Sequence, residues 1–172
     1  SIVGGGIKDS KFGKVTHKKS MLSLANTYNL GDLEDFDGRV KRILSKENEE
    51  KEDIGIDYVL ELKLDGISIS IHYEDGRLIQ AVTRGDGKVG EDVTENIMQI
   101  KSIPKYLKES VSIEVRGEIV LPLTEFRSLN KKRLESEEEV FANPRNAAGG
   151  TLRQKDANIV GERNLDAYIY YL

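Results

Sequence analysis

The feature that most restricts what this chain can fold into is a change of hydrophobic period about a third of the way along it. Leu30, Leu33, Phe36, Val40, Ile43 and Leu44 recur at helical spacing, which gathers them into one stripe of an amphipathic helix. Asn29 precedes the stripe with a side chain suited to capping its first turn. Beyond it the period falls to two. Tyr58, Leu60, Leu62 and Leu64 alternate with Val59, Glu61, Lys63 and Asp65, and Ile67, Ile69, Ile71 and Tyr73 alternate with Ser68, Ser70, His72 and Glu74. Such alternation predicts strands with one buried face. Asp75-Gly76 follows directly and predicts a tight hairpin turn, because glycine accepts positive φ.

The remaining elements follow from the same rules. Arg77 to Arg84 reads as the returning strand, Val111 to Leu121 as another, and Leu165 to Leu172 as a last one. Pro122 and Thr124 open a helix carrying Phe126 and Leu129, with the polar stretch Asn130 to Glu139 ending it at the surface. Lys46 to Asp53 is almost wholly charged and reads as a solvated connector. No internal repeat is present. Strands joined by hairpins and interrupted by helices predict an α+β domain on antiparallel sheet, with residues 1–172 as a single domain. A domain seldom stops in an unpartnered strand, so the chain is expected to be a fragment.

Bulk properties exclude several classes. Apolar content of 38% with 33% charged residues describes a soluble globular chain of 172 residues rather than a disordered one. No apolar run nears the roughly 18–20 residues that span a bilayer, and Ser1 to Lys11 lack a signal-peptide pattern, so no membrane partner is expected. The absence of cysteine excludes disulfides and thiolate-bound zinc in this segment and fits a cytoplasmic protein. A net charge of −4 is unlike a generic nucleic-acid binder, so any DNA contact must come from local arginine and lysine.

Glu61, Lys63 and Asp65 share one face if the backbone is extended. A plain ion-pair ladder is one reading. The other is a nucleophilic lysine, which needs an accessible neutral amine and a target held in line. Flanking carboxylates favour the charged amine, so that reading requires a compensating positive charge nearby. His17 and His72 lack a clustered ligand set and read as structural. Gly85 to Gly90 is glycine-rich but lacks the Lys-Ser or Lys-Thr pair of a P-loop, and its oxygen spacing fails for calcium.

Lys63-Leu64-Asp65-Gly66 resembles the K-x-D-G signature of covalent nucleotidyltransferases, a group that includes DNA ligases, RNA ligases and mRNA capping enzymes. Four residues are weak by themselves, but companions occur in family order. Met21-Leu22-Ser23-Leu24 with Asn26 is similar to the segment that precedes the nucleophile. Thr83-Arg84-Gly85-Asp86-Gly87, Gly90-Glu91-Asp92 and Thr94-Glu95-Asn96 resemble the T-R-G-D-G-x-x-G-E-D-x-T-E-N run of bacterial NAD-dependent DNA ligases. Glu114 to Glu118 looks like the next nucleotidyltransferase motif, and Asn143 to Gln154 is similar to N-P-R-N-A-A-x-G-x-L-R-Q. The chain thus resembles the adenylation domain of that family.

The resemblance implies an antiparallel β-sheet nucleotidyltransferase core of the ligase and capping-enzyme (ATP-grasp-like) type with flanking helices. It implies Lys63 as the nucleophile that takes AMP from NAD, and Asp65 as an orienting or metal-linked carboxylate. Glu61 would contact adenine, Ser23 and Leu24 the pocket wall, Arg84 the ligand and Glu118 the ribose. Arg145 and Arg153 would lie near phosphates or DNA, where a planar guanidinium binds phosphate bidentately. Magnesium is the implied cation, with no all-protein metal site. Nicked double-stranded DNA is the implied partner, the implied setting is replication and repair, and a monomer is expected. Ser20 and Ala25 depart from many relatives, with small effects expected on their loop. The family's N-terminal subdomain for nicotinamide mononucleotide, its last nucleotidyltransferase motifs and its OB, zinc, helix-hairpin-helix and BRCT modules have no counterpart here. The segment alone is therefore expected to be inactive or nearly so. The rival readings are an ATP-dependent ligase or capping-type enzyme, which the Arg84 to Asn96 run disfavours, and a noncatalytic binding module of the same fold.

Overall fold

In the computed structural model, which describes residues 12–48 and 55–172, the Asp75-Gly76 pair turns the chain as expected. Both residues take positive φ, 49° and 78°, the combination that matches the twist of a two-residue hairpin. The hairpin joins β2 (Ile67–Glu74) to β3 (Arg77–Thr83). Two further strands complete a four-stranded antiparallel sheet in the order β3-β2-β5-β6, where β5 is Ile113–Val120 and β6 is Asp166–Tyr171. A separate two-stranded ribbon pairs β1 (Lys14–Thr16) with β4 (Val89–Glu91). The helices are α1 (Leu30–Asn48), α2 (Thr94–Ile97), α3 (Leu123–Glu135), α4 (Pro144–Leu152) and α5 (Ala157–Glu162). The result is mixed helix and antiparallel sheet, as the periodicity required.

The described residues fall into two compact units, one holding residues 22–63 and the other the remainder. In the smaller unit, Asn29 caps α1 by accepting the Asp32 amide at 2.9 Å. Tyr58 is held against this helix by its hydroxyl on Asp37 at 2.8 Å and by its ring against Phe36, centroids 6.1 Å apart. The strand expected over Tyr58 to Asp65 does not form: residues 55–65 carry no regular structure, and Leu60 and Leu62 are almost fully exposed. Alternation signals a face that could be buried, but a strand also needs a neighbour to take its backbone hydrogen bonds. Among the described residues none pairs with this segment. Lys46 to Asn48 extend α1 rather than beginning a connector, and the rest of that charged stretch lies outside the described residues.

In the larger unit the sheet has two unlike faces. Ile69, Ile71, Val115 and Ile119 point into a core shared with Val93, Ile97, Leu152 and Val160. The helix α4 lies on this side because Ala147 and Ala148, both fully buried, are small enough to let it approach. Its start is specified by Asn143, whose side chain accepts the Asn146 amide at 2.8 Å, and by Pro144 in its first turn. Its end is tied to α2 by buried Asn96, whose amide donates to the Leu152 carbonyl at 2.7 Å and the Gln154 carbonyl at 2.9 Å. Replacing Asn96 by alanine removes both bonds and leaves buried acceptors. We expect a loss of about 1–3 kcal/mol in urea unfolding. Removing the exposed Lys131–Glu135 pair, 3.9 Å apart, is expected to cost less than about 0.5 kcal/mol.

Candidate active site

The opposite face of the sheet is polar, and register explains how. Ser68 stands opposite Glu118, Ser70 opposite Arg116 and His72 opposite Glu114 across β2 and β5, so alternation places all six side chains on one side. Glu118 is only 8% exposed, so it needs partners. It has two: one carboxylate oxygen accepts the Gly66 amide at 3.2 Å, the other the Ser68 hydroxyl at 2.9 Å. Gly66 closes the Lys63-Leu64-Asp65-Gly66 sequence, and its own contacts are tight. A Cβ there would collide with the Ile119 carbonyl oxygen and crowd Val120 and Glu118, so only glycine allows this turn to lie against β5.

Strand β6 completes the face. Tyr168 pairs with Glu118 and Tyr171 with Arg116, with a bulge between that leaves Tyr170 as the extra residue. Bulges re-aim side chains in this way. Burial raises the Tyr170 hydroxyl above its ordinary range, with nearby Glu118 adding to the effect and Ser68, Arg84 and Arg116 opposing it. Tyr170 is thus a neighbour of Glu118 and Arg84, a placement that plain alternation along β6 does not reveal.

Arg84 itself leaves the end of β3 with its amide donating to the Ser68 carbonyl at 3.0 Å. The turn after it is shaped by Gly85 and Gly87, at φ 58° and 95°, and by Asp86, which accepts the Lys88 and Val89 amides. The incoming chain fastens that turn from outside. His17 contacts the Thr83 and Arg84 carbonyls through its Nε2 at 3.1 and 3.3 Å, and the Met21 amide donates to the Gly87 carbonyl at 2.8 Å. His17 therefore holds backbone, as a structural histidine should.

Of the residues singled out from the sequence, Glu118 and Arg84 both join Ser68, Glu118 by accepting its hydroxyl and Arg84 by donating its amide to the Ser68 carbonyl. Asp65 pairs with Arg145 at 3.1 Å and Arg153 with Glu91 at 2.8 Å. Lys63, Glu61, Ser23 and Leu24 belong to the smaller unit, where Lys63 and Glu61 are exposed. Tyr170 and the Ser68–Glu118 bond escaped the sequence reading. The tyrosine run Tyr168-Ile169-Tyr170-Tyr171 was its one available signal.

A family model describing the NAD-dependent DNA ligase adenylation domain matches residues 9–172. The chain belongs to that family. It is 56% identical over 170 residues to a DNA ligase of Fusobacterium nucleatum, covering 99% of this chain. It is 50% identical over 168 residues to one of Caldicellulosiruptor bescii, covering 98% of it, and 49% identical over 170 residues to one of Bacillus cereus, covering 99%. The chain spans 24% of the length of these relatives. Among the described residues no helix of this adenylation domain is long and apolar enough to cross a membrane.

His72 offers a pH test of the polar face. Burial holds it below its ordinary value of about 6.5, Lys18, His17 and Arg116 add to this, and Glu114 opposes it. The folded ring therefore takes up its proton at a lower pH than the unfolded one, so acidification favours unfolding. Urea midpoints are expected to fall between pH 7.5 and 5.5, and His72→Gln to flatten that decline.

Proposed function

We propose that the whole protein is an NAD-dependent DNA ligase, that this chain is its nucleotidyltransferase core of the ligase and capping-enzyme type, and that Lys63 is its nucleophile. The observation that carries the reading is the bond from Gly66, last residue of the K-x-D-G sequence, to Glu118 on the face that also bears Arg84 and Tyr170. Four residues could match a signature by chance. A match whose glycine is hydrogen-bonded to the glutamate of the next motif, 52 residues away, is much harder to reach that way.

In the first step the Lys63 amine attacks the α-phosphorus of NAD. A nitrogen–phosphorus bond forms, the bond to nicotinamide mononucleotide breaks with its electron pair leaving on that group, and the amine gives up a proton. The product is a lysyl–AMP phosphoramidate. AMP then passes to the 5′-phosphate of a DNA nick, and the 3′-hydroxyl displaces it. Phosphoryl transfer depends on charge neutralisation and in-line placement more than on covalent help from the protein. Arg84 is assigned to the ligand and supplies a guanidinium suited to that purpose. A carboxylate has about four acceptor positions, so Glu118 retains capacity for a ribose hydroxyl beside the two donors it already holds. The Tyr170 ring gives a flat surface of the sort on which bases stack.

Glu61 is assigned to adenine, Ser23 and Leu24 to the nucleotide pocket wall, and Asp65 to orientation of the reacting groups. Arg145 and Arg153 are assigned to phosphate or the DNA backbone, with Asp65 and Glu91 holding them until an anion competes. Magnesium is the expected cation. Nicked DNA in replication and repair, acting in the cytoplasm as a monomer, completes the reading, and sealing needs more of the protein than these 172 residues.

The test compares nick sealing by the whole protein with NAD or ATP as donor. Sealing with NAD alone, lost by at least about 1,000-fold in Lys63→Ala, is the expected result. Sealing with ATP would move the chain to the other ligase branch, no sealing with either would favour a noncatalytic module, and full activity in Lys63→Ala would overturn the nucleophile.

A further inference from the structure

The polar face contains an arginine, within the Glu114 to Glu118 motif, that the proposed chemistry does not use. The Arg116 side chain is 13% exposed, and each of its three nitrogens makes a hydrogen bond within the larger unit. Its Nε donates to Glu114 at 2.7 Å, its Nη2 to the Lys19 carbonyl at 2.8 Å and its Nη1 to the Ser20 carbonyl at 3.2 Å. Glu114 is braced in turn by the Ser70 hydroxyl at 2.8 Å. The guanidinium carbon lies 5.7 Å from the centre of the Tyr171 ring, within the range of a cation–π contact.

Two details make this more than a packing arrangement. The first is the bulge in β6. Without it Tyr170 would stand opposite Arg116; with the extra residue Tyr171 takes that place, and Tyr170 is left beside Ser68 and Glu118. One strand thereby serves both the Glu118 region and Arg116. The second is the location of the two carbonyls. Lys19 and Ser20 come immediately before Met21, whose amide is pinned to Gly87, and the chain then runs into Ser23 and Leu24. A planar guanidinium that meets two successive carbonyls fixes direction as well as distance, which an ammonium does not.

Resting on the reading of this chain as a nucleotidyltransferase, we propose that Arg116 is a positioning residue. It takes its own orientation from Glu114 and Tyr171 and grips the Lys19–Ser20 backbone, from which the chain continues to Ser23 and Leu24. It does not touch the reacting atoms. Its loss should weaken capture of NAD while leaving the chemistry of bound NAD largely intact.

The test uses the whole protein and two readouts. In the lysine-adenylation step, Arg116→Lys and Tyr171→Leu are expected to raise the KM for NAD about tenfold and change kcat less than about threefold. Tyr171→Phe, which keeps the ring, should restore the low KM. In parallel, trypsin should cut after Lys18 and Lys19 several-fold faster in Arg116→Lys and Tyr171→Leu than in the unaltered protein, with cleavage elsewhere unchanged. An unchanged KM together with unchanged cleavage overturns the proposal, and so does a fall in kcat at constant KM. If Arg116→Lys is too unstable to assay, the Tyr171 pair decides alone, equal KM values for leucine and phenylalanine being the refuting result. Failure of the underlying reading is distinct, since the unaltered protein would then form no lysyl–AMP at all.

Discussion

The entry of the chain onto the polar face depends on the carboxylate of Glu118. A nearly buried charge needs strong hydrogen-bond donors, and this one draws its donors from a single stretch of chain, the Gly66 amide and the Ser68 hydroxyl. The consequence runs in two directions. The start of β2 is held against β5, and the turn that follows Lys63 is anchored at its last residue. Gly66 permits the approach because it has no side chain, and Glu118 makes the approach favourable. Neither residue would place the turn without the other.

The sheet converts that local bond into a site. Its buried face carries isoleucine and valine against α4 and α2, and the packing fixes the register of β2 on β5. With register fixed, Ser68, Ser70 and His72 must meet Glu118, Arg116 and Glu114 on the other side. The bulge in β6 then departs from strict alternation and brings Tyr170 and Tyr171 to separate partners. Hydrophobic burial on one face and a designed irregularity on the edge strand together determine which polar groups are neighbours.

Much of this was legible in the amino-acid order. The helix after Asn29, the Asp75-Gly76 hairpin and the shared face of Glu114, Arg116 and Glu118 all follow from short-range rules of period, capping and turn chemistry. Tyr58 to Asp65 misled because apolar alternation describes what a strand could bury, not whether a partner exists. The β1–β4 ribbon escaped because three-residue strands carry too few positions for a period to emerge. The bulge escaped because counting by twos presumes that no residue is extra. The partners of Arg145 and Arg153 lie 80 and 62 residues away, and nothing local to either arginine points to them. The functional assignments rest on motif resemblance, in which the order of the motifs along the chain matters more than any one of them.

The central claim is that Glu118 anchors the turn that follows Lys63. Peptide-resolved hydrogen exchange over residues 64–68 of the whole protein, compared between the unaltered form and Glu118→Gln, tests it most directly. The account predicts faster exchange in those residues in the variant, with the hairpin of β2 and β3 beyond Ile69 unchanged. Equal exchange over residues 64–68 in both proteins would contradict it.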